Sequence, residues 1–207
     1  RELSLSQEEL EAMLLVLERK VPLILHVDRA SDIVRVVQWA QAENIRLVIA
    51  GGLESWRVSD VLAKARIPVI IQPNQLVPSQ FDSLAARDDL GTLLTKAGVP
   101  VLISSSVEGE PDKMNRIRQQ AGMAVRAGMS QADALRAITF LPGQLFFPEQ
   151  KVGTIEVGMR ANMVLWSGDP FELSSSAEAA WIAGKPQDLR NRQDMLTERY
   201  LKQQTSY

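Results

Sequence analysis

His26 is the only histidine of the chain, and it ends a short apolar run at residues 22–26 that is followed by Val27 and Asp28. A neutral imidazole can bind a divalent metal, and a histidine can also carry a proton at a pH near neutrality. A single histidine at the end of a strand equally suits a structural, hydrogen-bonded role, and Asp28, Ser31 and Asp32 suit caps of a following helix. His26 is therefore a candidate metal ligand.

Polar residues or glycines follow three other apolar runs, at residues 46–50, 68–71 and 99–103. If these runs are parallel strands, their carboxyl ends share one rim, which is where α/β folds bind their ligands. The candidates for such a ligand rim are Gly52, Gln72, Asn74, Ser104 and Ser105. The same residue types also suit ordinary loops and helix caps. The sequence has no cysteine, no Ser–His–Asp set and no H-E-x-x-H motif, so no familiar catalytic arrangement is visible.

The apolar runs alternate with segments whose apolar residues have helical spacing, such as Ile33, Val36, Val37 and Ala40. Short continuous apolar runs are typical of strands that are buried on both faces of a parallel sheet. Strands joined by helical crossovers also predict a parallel sheet. Two architectures fit four such units: half of an eight-stranded barrel, or an open doubly wound sheet. We also predict a helix opened by a capping box at Ser6 and a helix over residues 54–66.

Composition sets the class of protein. With 207 residues, 45% hydrophobic and 23% charged, the chain can bury a sizeable core. The formal net charge of −2 argues against a nucleic-acid partner or an anionic membrane. No apolar run approaches the roughly 18 residues that span a bilayer. We therefore expect a soluble protein, cytoplasmic or periplasmic, and because the chain begins at Arg1 we expect it to be processed from, or part of, a longer protein.

The stretch over residues 152–185 carries the most specific pattern in the chain. It contains glycines at 153 and 158, the apolar segment 163–166, a Gly-Asp-Pro turn at 168–170, the segment 180–182 and a closing Gly184. This pattern resembles the C-terminal part of metal-dependent amidohydrolases of the imidazolonepropionase-like group, although Asn162 stands where that group usually has Asp. The resemblance implies an α/β fold: half of a TIM-type (β/α)8 barrel over residues 1–148, a β-sandwich segment over 149–187 and a C-terminal helix over 188–207.

The resemblance also implies which site residues to expect. Active enzymes of this superfamily hold one or two divalent metals, zinc among them. Their metal ligands are a His-x-His pair, a group on the fourth barrel strand and histidines on the fifth and sixth strands. A catalytic Asp lies at the end of the eighth strand. Aligned this way, residues 22–26 form the fifth strand and His26 takes the metal-ligand position. Gly51 and Gly52 replace the sixth-strand histidine, and Ser105, between Ser104 and Ser106, lies where the catalytic Asp is expected. We therefore assign no catalytic residue and expect this chain alone to bind no zinc.

By resemblance, the class of activity is hydrolysis of non-peptide C–N bonds, with a degenerate site and no turnover by this chain alone. One alternative is an amidohydrolase fold that has lost catalysis and is retained as a binding module. Another is an open flavodoxin-like binding domain. A half-barrel leaves strand edges uncovered, so we expect as partner either the missing N-terminal half of the barrel or a second copy. We also expect His26, Gly52 and Ser105 to lie near one another at the C-terminal rim.

Overall fold

The computed structural model describes residues 6–76, 84–105, 116–190 and 192–204. The chain divides into two compact units, Arg1–Thr154 and Ile155–Tyr207. The first unit contains the parallel sheet and its helices, and the second contains a small antiparallel sheet and the last helix. Among the described residues, no helix has both the length and the apolar character needed to cross a membrane.

The first unit alternates strands with helices, as the apolar runs predict. Its strands are β1 (Leu23–Val27), β2 (Leu47–Gly51), β3 (Val69–Ile71) and β4 (Val101–Ile103). Its α-helices are α1 (Gln7–Leu17), α2 (Ala30–Ala42), α3 (Ser59–Ala65), α4 (Leu90–Lys96), α5 (Ile117–Arg126), α6 (Gln131–Ile138) and α7 (Phe140–Phe146). Short 3-10 turns lie at Ser55–Val58, Pro73–Gln75 and Pro148–Gln150.

The four strands are parallel and hydrogen-bonded in chain order, β1-β2-β3-β4. One row of directly paired residues crosses the whole sheet, from His26 through Ala50 and Ile70 to Leu102. Paired residues project from the same face of a sheet, so this row belongs to one face. A doubly wound sheet reverses its strand order at the ligand site, and no such reversal occurs in the described sheet. The predicted half-barrel architecture is confirmed.

Burial differs between the middle and the β1 edge of the sheet. All five residues of β2 are buried, and so are the three residues of β4. In β1 the residues alternate between half-buried and exposed, and Ile24 is 47% exposed. The prediction that every apolar run is buried on both faces is therefore wrong for β1. The physical reason is its place at an edge, where β2 covers one side and nothing in the described chain pairs with the other.

Two helix starts illustrate how local sequence and tertiary contacts combine. Ser6 and Glu9 form the predicted capping box at the start of α1, with the Ser6 hydroxyl accepting from the Glu9 amide at 3.2 Å. The helix predicted over residues 54–66 is broken near Val58, whose φ of −127° is not helical, into a 3-10 turn and α3. The break occurs because the first turn is tied to the end of β2, where Ser55 N donates to Gly52 O at 2.8 Å.

The second unit begins with strands β5 (Met163–Trp166), β6 (Ala177–Ile182) and β7 (Lys185–Pro186), which pair in antiparallel order β5-β6-β7. Helix α8 (Arg192–Gln204) follows. Asn162, which departs from the usual Asp, accepts a hydrogen bond from Ala183 N at 2.9 Å through Oδ1. An amide oxygen and a carboxylate oxygen can both make this contact, so the turn tolerates the change.

Candidate functional site

His26 and Asp28 stand together at the carboxyl end of β1. Their atoms Nε2 and Oδ2 are 3.7 Å apart, slightly beyond hydrogen-bond distance. The His26 side chain is 56% exposed, and the Asp28 side chain is 25% exposed. Gly51, at the end of β2, lies against both: a Cβ at this position would fall 2.5 Å from His26 Nε2 and 2.6 Å from Asp28 Oδ1. The absence of a side chain at Gly51 therefore makes room for the His26–Asp28 pair.

A network of hydrogen bonds fixes Asp28 to the loop after β2. Its carboxylate Oδ1 accepts from Leu53 N at 3.3 Å, and its carbonyl oxygen accepts from Glu54 N at 2.9 Å. Glu54 reaches back, and its Oε2 accepts from Ala30 N at 2.9 Å, at the first residue of α2. Two loops from neighbouring strands thus hold each other in place. This arrangement orients Asp28 toward His26.

The predicted caps of α2 are wrong. Arg29 is the N-cap residue and its side chain makes no capping bond, while Ser31 Oγ donates to Asp32 Oδ1 at 3.4 Å. Glu54 satisfies a free N–H group of the helix from 24 residues away in sequence. No local pattern could have identified Glu54, because the capping contact exists only once β1 and β2 are paired.

Gly52 is held in a conformation that disfavours a side chain. Its φ is +64°, its N donates to Val27 O at 3.0 Å, and a Cβ there would lie 3.0 Å from Val69 Cγ1. A histidine at this position would be strained in the left-handed region and crowded as well. The glycine that replaces the expected sixth-strand histidine is therefore built into the backbone of the loop.

The far end of the rim is formed by Gln72 and Ser105, both of which are buried. Gln72 Nε2 donates to Ser105 O at 3.0 Å, which fixes the orientation of the amide. Gln72 Oε1 then has no hydrogen-bond partner among the described residues. Ser104 N donates to Ile71 O at 2.9 Å and so continues the β3–β4 ladder beyond the strand, while Ser106 lies outside the described residues.

The backbone after β3 is tied to helix α5. Asn74 N donates to Gln120 Oε1 at 3.0 Å, and Gln120 is a buried polar residue that the sequence does not single out. Buried polar side chains are normally hydrogen-bonded, and this bond satisfies Gln120 while it fixes the turn that carries Asn74.

The structure thus distributes the predicted rim residues over two groups at the same end of the sheet. His26 and Gly52 share the β1–β2 end, through the adjacent Gly51 and the Val27–Gly52 hydrogen bond. Ser105 is joined instead to Gln72 at the β3–β4 end. Two strands, β2 and β3, stand between the strands that carry His26 and Ser105. At roughly 4.8 Å per strand spacing, the two residues are on the order of 14 Å apart along the sheet.

Trp56 is half-buried and makes polar contacts. Its ring lies 5.0 Å from the Arg57 guanidinium and 5.2 Å from that of Arg87, and its Nε1 donates to Ala85 O at 3.1 Å. Arg87 Nε donates a hydrogen bond to Asp89 Oδ1, and this bond lowers the pKa of the Asp89 carboxyl. The indole thus fastens the segment before α4 to the turn after β2.

The donors of this rim do not by themselves fit the metal site that the resemblance implies. His26 Nε2 and Asp28 Oδ2 are close enough to share one ion, and they offer one nitrogen and one oxygen. Within residues 6–76, 84–105, 116–190 and 192–204 no group of three or more His, Cys, Asp or Glu side chains could hold a metal. A tetrahedral zinc site needs three or four protein ligands. The remaining ligands would have to come from another part of a larger assembly.

Comparison with solved structures shows which known proteins share this fold. An amidohydrolase from Thermotoga maritima superposes with a TM-score of 0.78 at 29% sequence identity, over 92% of this chain and 49% of that one. The chain has the fold of half an amidohydrolase barrel. The predicted resemblance to the amidohydrolase superfamily is confirmed, and the chain spans about half the length of this relative.

More distant amidohydrolase-type structures share the fold alone. A prolidase complexed with N-methylphosphonate-L-proline matches at 16% identity with a TM-score of 0.63, over 90% of this chain and 50% of that one. Molinate hydrolase matches at 16% identity with a TM-score of 0.59, over 81% and 43%. Among curated proteins, imidazolonepropionase of Aeromonas hydrophila is 30% identical over 83 residues, which is 39% of this chain and 20% of that protein. No protein-family model matches the sequence.

Proposed function

We propose that this chain is the half of an amidohydrolase-type hydrolase that carries barrel strands five to eight, and that the whole acts on non-peptide C–N bonds. The observation that carries the proposal is the position of His26. It stands at the carboxyl end of a parallel barrel strand, beside Asp28, in a chain similar to an amidohydrolase over 92% of its length. Barrel enzymes build their active sites at this end of the strands.

In this proposal the rim residues bind and orient the substrate, and they do not form a complete set of catalytic residues. Asp28, fixed by the backbone amides of Leu53 and Glu54, lies beside the imidazole of His26. Ser105 takes the place of a catalytic carboxylate, and a serine hydroxyl does not accept a proton near neutral pH. A divalent metal in a complete site would supply an activated water. The missing ligands would come from a complementary half of the barrel, or the site is degenerate.

A second candidate function is a binding module that has lost catalysis. Gln72 favours it, because its Oε1 is a buried acceptor with no partner in the described chain. An unsatisfied buried acceptor costs about 1–3 kcal/mol, which a ligand N–H or O–H group would recover. The same rim could thus retain a small amide ligand without hydrolysing it.

The test joins this chain to the half of the Thermotoga maritima amidohydrolase that it does not match, and measures hydrolysis of a panel of cyclic and linear amides with added zinc. The hydrolase proposal predicts that Ser105→Asp raises turnover in this assembled protein and that His26→Ala removes it. Gly52→His is omitted, because its backbone rejects a side chain. Saturable amide binding by calorimetry, weakened by Gln72→Ala and without turnover in any variant, would favour the binding module instead.

A further inference from the structure

The two groups that the β1 end of the rim offers lie on different elements. His26 belongs to β1. Asp28 lies in the short connection between the end of β1, at Val27, and the start of α2, at Ala30. The pairing of β1 with β2 ends at Val27 and Gly51. This ladder therefore fixes the backbone of His26, and contacts outside the ladder must fix Asp28.

Glu54 holds this connection at both of its ends. Its backbone N donates to Asp28 O at 2.9 Å, and its side-chain Oε2 accepts from Ala30 N at 2.9 Å. The second contact is partly buried, and it brings a carboxylate to the N-terminus of a 13-residue helix, where negative charge is favourable. One residue of the loop after β2 thus spans the segment from Asp28 to Ala30.

The carboxylate of Asp28 is divided between the loop and the imidazole. Its Oδ1 accepts from Leu53 N at 3.3 Å, and its Oδ2 lies 3.7 Å from His26 Nε2. The bond from Leu53 is long for an N–H···O contact, so it holds the carboxylate less firmly than the two shorter bonds to Glu54 hold the backbone. The position of Oδ2 beside the imidazole therefore depends on Glu54.

We propose that Glu54 is a positioning residue of the rim. By holding Asp28 O and Ala30 N together, it fixes where the Asp28 carboxylate stands relative to the imidazole of His26. The inference rests on the proposed function, which assigns His26 and Asp28 to the site. A misplacement of about 1 Å at such a site can cost about 100-fold in rate. A side chain that served only as a cap of α2 would leave the imidazole unchanged, and this difference can be measured.

The experiment follows the ring resonances of His26, the only imidazole of the chain, in NMR spectra of the folded chain. Glu54→Ala should shift these resonances, because the Asp28 carboxylate moves relative to the ring. Glu54→Gln keeps a side-chain oxygen that can accept from Ala30 N, and it should return the resonances to their original positions.

Ser130→Ala is the matched control. It removes the bond from Asp133 N to the Ser130 hydroxyl, at 3.0 Å, which caps the start of α6. Like Glu54→Ala, it should lower the midpoint of urea unfolding, because a helix loses its cap. It should leave the His26 resonances in place.

A change in the donor tests the same bond if Glu54→Ala fails to fold. Ala30→Pro removes the N–H group that Glu54 accepts, and proline is favoured at the first position of a helix. Arg29 has a φ of −76° and a ψ of 137°, which is the extended backbone that a residue before proline adopts. Ala30→Pro should therefore fold and shift the His26 resonances. Where Glu54→Ala folds, adding it to Ala30→Pro should cause little further shift, because both changes remove one bond.

Three results would overturn the proposal. The His26 resonances could stay in place in Glu54→Ala and Ala30→Pro, they could move as far in the Ser130→Ala control, or Glu54→Gln could shift them as far as Glu54→Ala does. Each result would show that the bond between Glu54 and Ala30 does not position the Asp28 carboxylate.

Turnover gives an independent readout in the protein assembled with the Thermotoga maritima half. Glu54→Ala should lower kcat about 10–100-fold with a smaller change in KM, and Glu54→Gln should restore it. Turnover that is unchanged in Glu54→Ala would also overturn the proposal. Absence of turnover in every assembled form would count against the hydrolase proposal alone, because the imidazole resonances report the position of Asp28 without it.

Discussion

Replacing Gly51 by alanine tests how closely the loop after β2 approaches His26. The residue has a φ of +81°, a left-handed conformation that costs an L-residue about 1–2 kcal/mol. The added Cβ would also lie 2.5 Å from His26 Nε2 and 2.6 Å from Asp28 Oδ1. Both side chains must turn away, and Asp28 then loses its bond to Leu53 N, worth about 0.5–1.5 kcal/mol. We expect Gly51→Ala to lower the free energy of unfolding by about 2–3 kcal/mol.

Gly98 provides a matched control. Its φ of +80° is almost the same, but a Cβ there would meet nothing within 4 Å. Gly98→Ala should therefore cost only the left-handed strain, about 1–2 kcal/mol. Both changes reduce the freedom of the unfolded chain alike, so that effect cancels in the comparison. Urea unfolding measures both variants, and the difference between them isolates the crowding at His26.

The single histidine gives a second readout of the same prediction. Because the chain has one imidazole, its ring resonances in an NMR spectrum can be assigned without ambiguity. They should shift in Gly51→Ala and stay in place in Gly98→Ala. Equal loss of stability in the two variants, together with an unmoved His26 resonance, would refute the close approach of Gly51 to the His26–Asp28 pair.

Three further predictions concern capping, titration and metal binding. Glu54→Ala should lower stability by about 1 kcal/mol because Ala30 N loses its acceptor, and Glu54→Gln, which keeps an oxygen, should recover most of it in the same urea assay. Asp188 should titrate by NMR with a pKa of about 2, because Arg190 donates hydrogen bonds to its carboxylate. Any stability that this pair contributes is present above the ordinary pKa of 3.8 and is lost as the pH falls through 2. The Arg190→Met variant should return the pKa of Asp188 toward 3.8. Elemental analysis after dialysis should find no stoichiometric zinc, and near one metal per chain that disappears in His26→Ala would contradict this.

The fold was predictable where the pattern is local. Ser6 and Glu9 identify the start of α1, and the continuous apolar run at residues 46–50 corresponds closely to the fully buried strand β2. The run that ends at His26 has the same apolar character, yet β1 is half exposed. The burial of β1 depends on whether a strand lies on its other side. A local apolar pattern carries no information about neighbouring strands, and this is why the prediction was wrong for β1.

The site was less predictable, because its contacts join residues that are far apart in sequence. His26 and the rim positions follow from the ends of the apolar runs. The contact of Glu54 with α2 and that of Gln120 with Asn74 span 24 and 46 residues and arise only in the folded chain. The left-handed backbone of Gly52 is likewise set by the loop and its bond to Val27. Sequence therefore indicates which residues reach the rim, and packing decides which of them meet.

The most direct test of the central claim is the amide-hydrolysing activity of the purified chain alone, measured with and without added zinc. The chain offers His26 and Asp28 as metal-binding groups and has Ser105 where a catalytic carboxylate is expected, so we predict no turnover above buffer. The His26→Ala variant should behave identically. Turnover that survives extensive purification and is lost in His26→Ala would contradict the account, because it would show that this half of the barrel already contains a complete catalytic site.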